Sequence, residues 1–492
     1  MKRTDPNRAT PPRPPLRKRG VRGGTFFITT PIYYVNDKPH IGHAYSTIAA
    51  DVLARYKRQK LGHDRVWFST GTDENSQKTV EAAAKAGQDI RAYTDALAAI
   101  WKSTFEQLGI SFNDFIRTTE PRHQAAVVEF LKRVEAAGDV YKGTYEGWYC
   151  VGHEAFMKES DLIDGKCPEH NRQAEWLKEE NYFFKLSKYQ DQLLRWYADK
   201  TRIVPATRYN EVVSFIRQGL EDISITRATQ KWGIPLPQDP QQVIYVWVDA
   251  LINYLTTIGY PKARYKNFWP GVHIIGKDII KFHCIIWPAM LMSAGLEPPR
   301  QVMAHGFFTI NGQKISKSLG NAVDPLELTQ KYGNDAVRYF LLREIPFGAD
   351  GDFSEAKLKE RYTADLANGL GNLVSRVTNM VEKYAGGKFK RKAADTPRGY
   401  IEALEHYRFD EALRIVWDMV TAANKAIDDA APWKMAKEGK DKELRALLGE
   451  LANNVLDINE LLLPFLPDAN AKIAQAFIQP VKKAEPLFPR IE

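Results

Sequence analysis

Residues 31–48 read PIYYVNDKPHIGHAYSTI, and the fold turns on how this stretch divides. The run that leads into it, TFFITTPIYY over residues 25–34, is aromatic and β-branched, the pattern of a strand. After His43, the segment AYSTIAADVLARYKRQK places Ile48, Val52, Leu53 and Tyr56 at helical spacing. His40 and His43, with Gly42 between them, therefore fall at a strand-to-helix junction, where α/β folds bind phosphate groups. On its own, such a pair reads equally as a metal pair or a polar helix start.

Outward from that junction the chain divides into regions. Residues 1–24 carry eight basic residues against Asp5 alone and five prolines, and are expected to be disordered. Lacking an apolar run, that segment is not a secretory signal, and its prolines and missing serines speak against a transit peptide. It also supplies +7 of the net charge of +9, so residues 25–492 are nearly neutral and any polyanion must be held by local patches. No apolar run is long enough to span a membrane, and three cysteines in 492 residues suit a reducing compartment, here the cytoplasm. Strands alternate with helices over residues 25–140, notably DRVWFSTGTDENSQ and IRAYTDALAAIWKSTFEQLGI. The pattern breaks over 141–242 and resumes over 243–353 in QVIYVWVDALINYL, GVHIIGKDIIKFHCIIWPAML and RQVMAHGFFTINGQK. Residues 354–492 read as helix after helix. An α/β domain with an insertion, followed by an all-α region, is the expected architecture.

A second phosphate signature lies in NGQKISKSLGN, residues 311–321. Lys314 and Lys317, with Ser316 and Ser318, sit on a loop bounded by Gly312 and Gly320, a loop able to fold over a triphosphate and neutralise charge as pyrophosphate leaves. Alone, such a loop is more often a solvated basic turn. Together with His-Ile-Gly-His at the first strand–helix junction, it resembles the paired ATP motifs of class I aminoacyl-tRNA synthetases. The resemblance implies a Rossmann-type parallel-sheet domain in which His40 and His43 donate to ATP phosphates and Gly42 leaves room for adenosine. It also implies that Lys317 stabilises the transition state, with Mg2+ on the phosphates.

The chain resembles the methionyl-tRNA synthetase family from about Thr25 to Glu492. YVWVDALINY then supplies Trp247, Ala250, Leu251 and Tyr254 to a side-chain pocket, and GKDIIKFHCIIWPAML supplies Ile279, His283 and Trp287. Ile32 and Tyr34 come from the first strand, Asp73 holds the substrate α-ammonium, and Asp278 takes the ribose hydroxyls. Aromatic faces around a thioether give dispersion and sulfur–aromatic contacts, and an aspartate suits an ammonium group. Two departures stand out: Asn75-Ser76 where many members carry His-Gly, and Leu251 where some have proline.

The insertion holds Cys150-x2-His153 and Cys167-x2-His170, the ligand types of a tetrahedral zinc knuckle; the alternative is a remnant knuckle held by packing alone. It is too short for the large editing domain of the valine, isoleucine and leucine enzymes. In DLANGLGNLVSRVTNMVEKY, an apolar stripe leaves Asn368, Asn372, Arg376 and Asn379 on another face, and Trp433 follows Pro432 at a helix boundary. The resemblance assigns Asn372, Arg376 and Trp433 to the CAU anticodon. The expected partners are initiator and elongator tRNA(Met), methionine and ATP. The end of the chain at EPLFPRIE, where dimeric relatives continue, suggests a monomer.

Overall fold

The computed structural model describes residues 24–152, 155–168, 172–310, 312–315, 321–392 and 395–491. At its centre is a six-stranded sheet built from β1 (Phe26–Tyr34), β2 (Val66–Asp73), β3 (Asp114–Arg117), β4 (Ile203–Val204), β5 (Val272–Gly276) and β6 (Gln301–His305), in the spatial order β3-β2-β1-β5-β6-β4. Every pairing is parallel. The inner strands β1, β2, β5 and β6 are largely buried, which is why they read as runs without a clean polar alternation, whereas the edge strands β3 and β4 are partly exposed. The direction of winding reverses between β1 and β5, and that switch point is where ligands bind in open parallel sheets.

Around the sheet lie α1 (Ile41–Leu61), α2 (Gln77–Lys85), α3 (Ile90–Gln107), α4 (Pro121–Ala136), α5 (Val246–Thr256), α6 (Trp287–Ser293) and α7 (Asn334–Arg343). Two cores result. Phe26 and Ile28 point into one with α1, and Phe27 points into the other with α4, α5 and α6, as the two-residue strand period requires. Two local details aim the site. The ladder between β1 and β2 shifts register between Thr29 and Ile32, where Pro31 lacks an N–H, and this sets Tyr34 directly opposite Asp73. Gly71 lies so close to β3 that a Cβ there would meet the Ile116 carbonyl oxygen at 2.0 Å.

Within residues 141–242, strands Val140–Cys150 and Glu175–Phe184 form a long antiparallel ribbon, from Val140 opposite Phe184 to Tyr149 opposite Glu175. The same span also contributes β4, the edge of the central sheet, so the chain is sewn back into the central layer before the α/β pattern resumes. Arg227, where the ribbon returns, is buried, paired with Glu179 at 3.1 Å, and lies over the Tyr149 ring.

The remainder is helical: α8 (Asn372–Ala385), α9 (Phe409–Ala430), α10 (Asp441–Leu462) and α11 (Pro467–Ala476). It is continuous with the first core rather than loosely appended. Arg338 on α7 is fully buried and bonds Asp51 of α1 at 2.7 Å and the carbonyls of Phe465 and Pro464 at 2.8 and 3.1 Å. Burial works to raise the Asp51 carboxyl, but Arg338 and Arg55 outweigh it and hold it below the usual carboxylate range.

Candidate active site

His40 is the N-cap of α1, and the two imidazoles form a reciprocal box. Nδ1 of His40 accepts from the Gly42 N–H and Nδ1 of His43 accepts from the His40 N–H, both at 3.1 Å. An imidazole whose Nδ1 accepts carries its proton on Nε2, so both rings are fixed as Nε2 donors. The rings lie 3.7 Å apart, and His43 is braced by Tyr33 and Trp101 at 5.0 and 4.8 Å. A Cβ at Gly42 would press the His40 ring at 3.0 Å, so glycine here protects the imidazole geometry as well as leaving space.

The histidine turn meets the segments that flank the lysine loop. The Ile41 N–H, one of the unpaired donors that begin α1, gives its hydrogen bond to the Val323 carbonyl at 3.0 Å, just beyond the lysine loop. On the near side of that loop, strand Phe308–Ile310 turns through Gly312 (φ 74°) and pairs with Gln313–Lys314, with Thr309 opposite Lys314. Ile315 is buried in the same core as Ile41. The Lys314 side chain and residues Ser316, Lys317 and Ser318 lie outside the described part. His305, at the end of β6, donates Nδ1–H to the Gly306 carbonyl at 2.7 Å and accepts from the Ser46 hydroxyl at 2.6 Å, fastening α1 to β6.

Asp73 ends β2, is buried, and accepts the Asn75 N–H at 3.3 Å. The next carboxylate, Glu74, is spoken for: Arg117 grips both its oxygens at 2.6 and 3.0 Å, and Thr72 and Thr119 donate to it. Across from Asp73, α5 brings Trp247, Ala250, Leu251 and Tyr254 to one region. After β5, Asp278 is exposed on a short 3-10 turn with Ile279 partly buried; beyond it residues Phe282–Ile286 form a π-helical turn that runs into α6. Such turns widen a helix locally and recur at functional sites, and nothing in the sequence signals this one.

The π turn aims Phe282 and His283 at α5. Trp247 stacks on Phe282 at 3.8 Å, with Tyr34 edge-on at 6.3 Å. His283 donates Nδ1–H to the Ile279 carbonyl at 3.0 Å, so Nε2 accepts from the Tyr254 hydroxyl at 2.7 Å. Burial lowers the His283 pKa to about 4, which keeps the ring neutral. Beneath Tyr254 lies His273, missed by the sequence reading, with ring centroids 4.1 Å apart and Nδ1 bonded to Thr29. Trp287, Leu251 and Ala250 are buried. Ile32 precedes Tyr34 on the bulged end of β1, opposite Gly71.

The other candidates sit elsewhere. Asn372 is exposed at the first turn of α8, and Arg376 one turn on pairs with Asp428 near the end of α9 at 2.5 Å. Ala431 takes a left-handed conformation (φ 44°), Pro432 starts a new short helix, and Trp433 beside it is 42% exposed. Asp428 thus brings Arg376 and Trp433 to the same end of the bundle. In the insertion, Cys150 and Cys167 are buried and neither forms a disulfide. Their expected partners His153 and His170 lie outside the described residues, and among those described no group of three metal-ligating side chains comes together.

With this geometry in place, the comparisons with known proteins are specific. The family model described as tRNA synthetases class I (M) matches residues 26–175 and 170–378, and the chain belongs to that family. Its relatives include the methionine–tRNA ligase of Thermotoga maritima, 48% identical over 91% of this chain and 74% of the relative. The methionine–tRNA ligase of Caldanaerobacter subterraneus is 44% identical over 95% and 79%. Among solved structures, Mycobacterium tuberculosis methionyl-tRNA synthetase in complex with methionyl-adenylate matches with a TM-score of 0.89 and 40% identity, covering 95% of this chain and all of that one.

Proposed function

We infer that the chain activates L-methionine with ATP and then transfers the methionyl group to the 3′ end of tRNA(Met), initiator and elongator alike. The observation that supports this most directly is the meeting of the histidine turn and the lysine-loop flank through the Ile41–Val323 hydrogen bond. Two segments remote in sequence address one phosphate-binding space at the switch point of a parallel sheet.

In the first step a methionine carboxylate oxygen attacks the α-phosphorus of ATP; the bond from the α-phosphorus to the α,β-bridging oxygen breaks and pyrophosphate leaves. His40 and His43 donate Nε2–H to phosphate oxygens, their direction preset by the Nδ1 bonds within the turn. Lys317 and Lys314, with Ser316 and Ser318, take up the charge on the leaving pyrophosphate, and Mg2+ enters with ATP as part of the substrate. Asp278, exposed beside the end of β5, takes the ribose hydroxyls, and Gly42 lets adenosine approach the main chain. Asp73 binds the α-ammonium, and Ile32, Tyr34, Trp247, Ala250, Leu251, Tyr254, Ile279, His283 and Trp287 enclose the thioether. No side chain attacks the substrate, so catalysis is positioning and electrostatics. In the second step a terminal ribose hydroxyl attacks the methionyl carbonyl and AMP leaves.

Asn372, Arg376 and Trp433 read the anticodon at the bundle end. Two buried, unoxidised thiols suit a structural zinc held by Cys150, His153, Cys167 and His170, and metal analysis returning one zinc per chain supports that assignment. A single copy carries both signature segments and the anticodon face, so we assign a cytoplasmic monomer, checked by sedimentation. ATP–pyrophosphate exchange over a panel of amino acids tests the whole reading. Exchange with methionine alone sustains it; exchange with another amino acid, or none, overturns it.

A further inference from the structure

The departure at Asn75-Ser76 splits into two different roles. Ser76 is the N-cap of α2, accepting the Thr79 N–H at 3.1 Å, a local structural task. Asn75 is only 4% exposed and bridges two elements. Its main-chain N–H donates to Asp73 at 3.3 Å and its side-chain amide donates to Asp249 Oδ2 at 3.0 Å. Asp249 is fully buried on α5, between Trp247 and Ala250. One amide residue thus stands between two buried carboxylates, donating to both. The neighbouring turn is held independently, by Arg117 on Glu74 and by the Trp232 indole N–H on the Glu74 carbonyl at 2.7 Å.

We propose that Asn75 is a positioning residue for the amino-acid substrate: by bonding Asp73 and Asp249 together, it sets the ammonium-binding carboxylate in register with the helix that lines the side-chain pocket. This rests on the activity inferred above. The reach from α-ammonium to thioether is fixed by the substrate's covalent geometry, so both ends are satisfied together only if Asp73 and α5 keep a set separation. Asn75 also screens two buried carboxylates that would otherwise repel. Its loss loosens amino-acid binding while the phosphate groups, served by α1 and the lysine loop, keep their partners. The effect therefore falls on the methionine KM rather than on kcat.

Pyrophosphate exchange on the full chain tests this. Asn75→Ala raises the methionine KM about tenfold, the worth of one hydrogen bond to a charged group, with the ATP KM and kcat within about threefold. Asn75→Asp, which puts a third carboxylate in place of the donor, raises it about a hundredfold. Asn75→His, whose ring N–H reaches toward Asp249, recovers most of the loss. In a double-mutant cycle Asn75→Ala with Asp249→Ala does no more damage than the worse single change, and these two variants carry the comparison if Asn75→Asp does not fold. A methionine KM within about twofold of the parent in Asn75→Ala, or a fall of kcat and Tm with a parallel rise of both KM values, overturns the proposal. Absence of methionine-dependent exchange in the unmutated chain instead overturns the activity assignment before any variant is compared.

Discussion

At the start of α1 the imidazoles of His40 and His43 are locked into the main chain of their own helix, with Nδ1 bonds at 3.1 Å and aromatic bracing. Just beyond α9, Trp433 is 42% exposed, and Arg376 at the same end of the bundle is paired with Asp428, a carboxylate itself mostly in solvent. Groups that act on charge developing in a transition state gain from being fixed beforehand. Groups that stack on or bond unstacked bases need an accessible face and adapt as the partner arrives. Sequence spacing alone shows the two regions as similar sets of polar residues at helical intervals. Burial and hydrogen bonding separate them.

Substitutions at the two ends break the comparison most sharply. Lys317→Ala is expected to cut methionyl-adenylate formation by about a thousandfold, with little change in methionine affinity, because in the role proposed for it the contact forms chiefly as pyrophosphate leaves. Single-turnover methionyl-adenylate formation measures this, and a loss confined to methionine affinity would remove Lys317 from that role. Between the two ends lies Arg338, with no exposed surface and bonds to both α1 and the α10–α11 corner. Arg338→Met strips Asp51 of its fully buried cationic partner, leaving the partly exposed Arg55, and is expected to lower stability by about 3–5 kcal/mol, read from urea denaturation. A change under about 1 kcal/mol would mean the helical region is docked by apolar packing alone. Trp433→Ala is smaller: about 1–3 kcal/mol of tRNA binding for one lost base stack, with adenylate formation untouched. Aminoacylation kinetics beside pyrophosphate exchange separate the steps, and equal damage to both would detach Trp433 from the anticodon.

How much of this was legible beforehand follows physical lines. The two phosphate segments and the α/β alternation are local or short-period features, so they stand out in sequence, as do the buried runs of β1, β2 and β5. The edge strand β4 is two residues long and has no period to detect; only pairing with Val302 and Met303 makes it a strand. The π turn at Phe282–Ile286 has no compositional mark. Asp249, His273 and Arg338 read as ordinary helix and strand residues, because their importance lies in partners on other elements. Asn75 was visible as a departure, but its meaning required seeing Asp249 across from it.

The smallest expected effect concerns the pocket's own acid sensitivity. His283 is neutral because burial lowers its pKa to about 4, a cost only partly offset by its bond to the Ile279 carbonyl. Unfolded, the same ring titrates near 6.5. The unfolded chain therefore binds the proton first as pH falls, and the stability that the neutral ring permits is present above about pH 6.5 and is lost progressively toward pH 4. At pH 6 the loss is about 1 kcal/mol. His123, lowered by burial to about 3, and the buried His273 and His305 push the same way, whereas Asp335, raised by burial to about 6, favours the protonated fold and opposes them. His283→Phe isolates one contribution: the stability gap between parent and variant should narrow by about 1 kcal/mol between pH 8 and pH 6, whatever constant cost the lost Tyr254 bond adds. A gap that stays constant across that range would mean the ring is protonated or solvated in the folded chain, and the pocket would then belong with the adaptable bundle face rather than with the preset turn at α1.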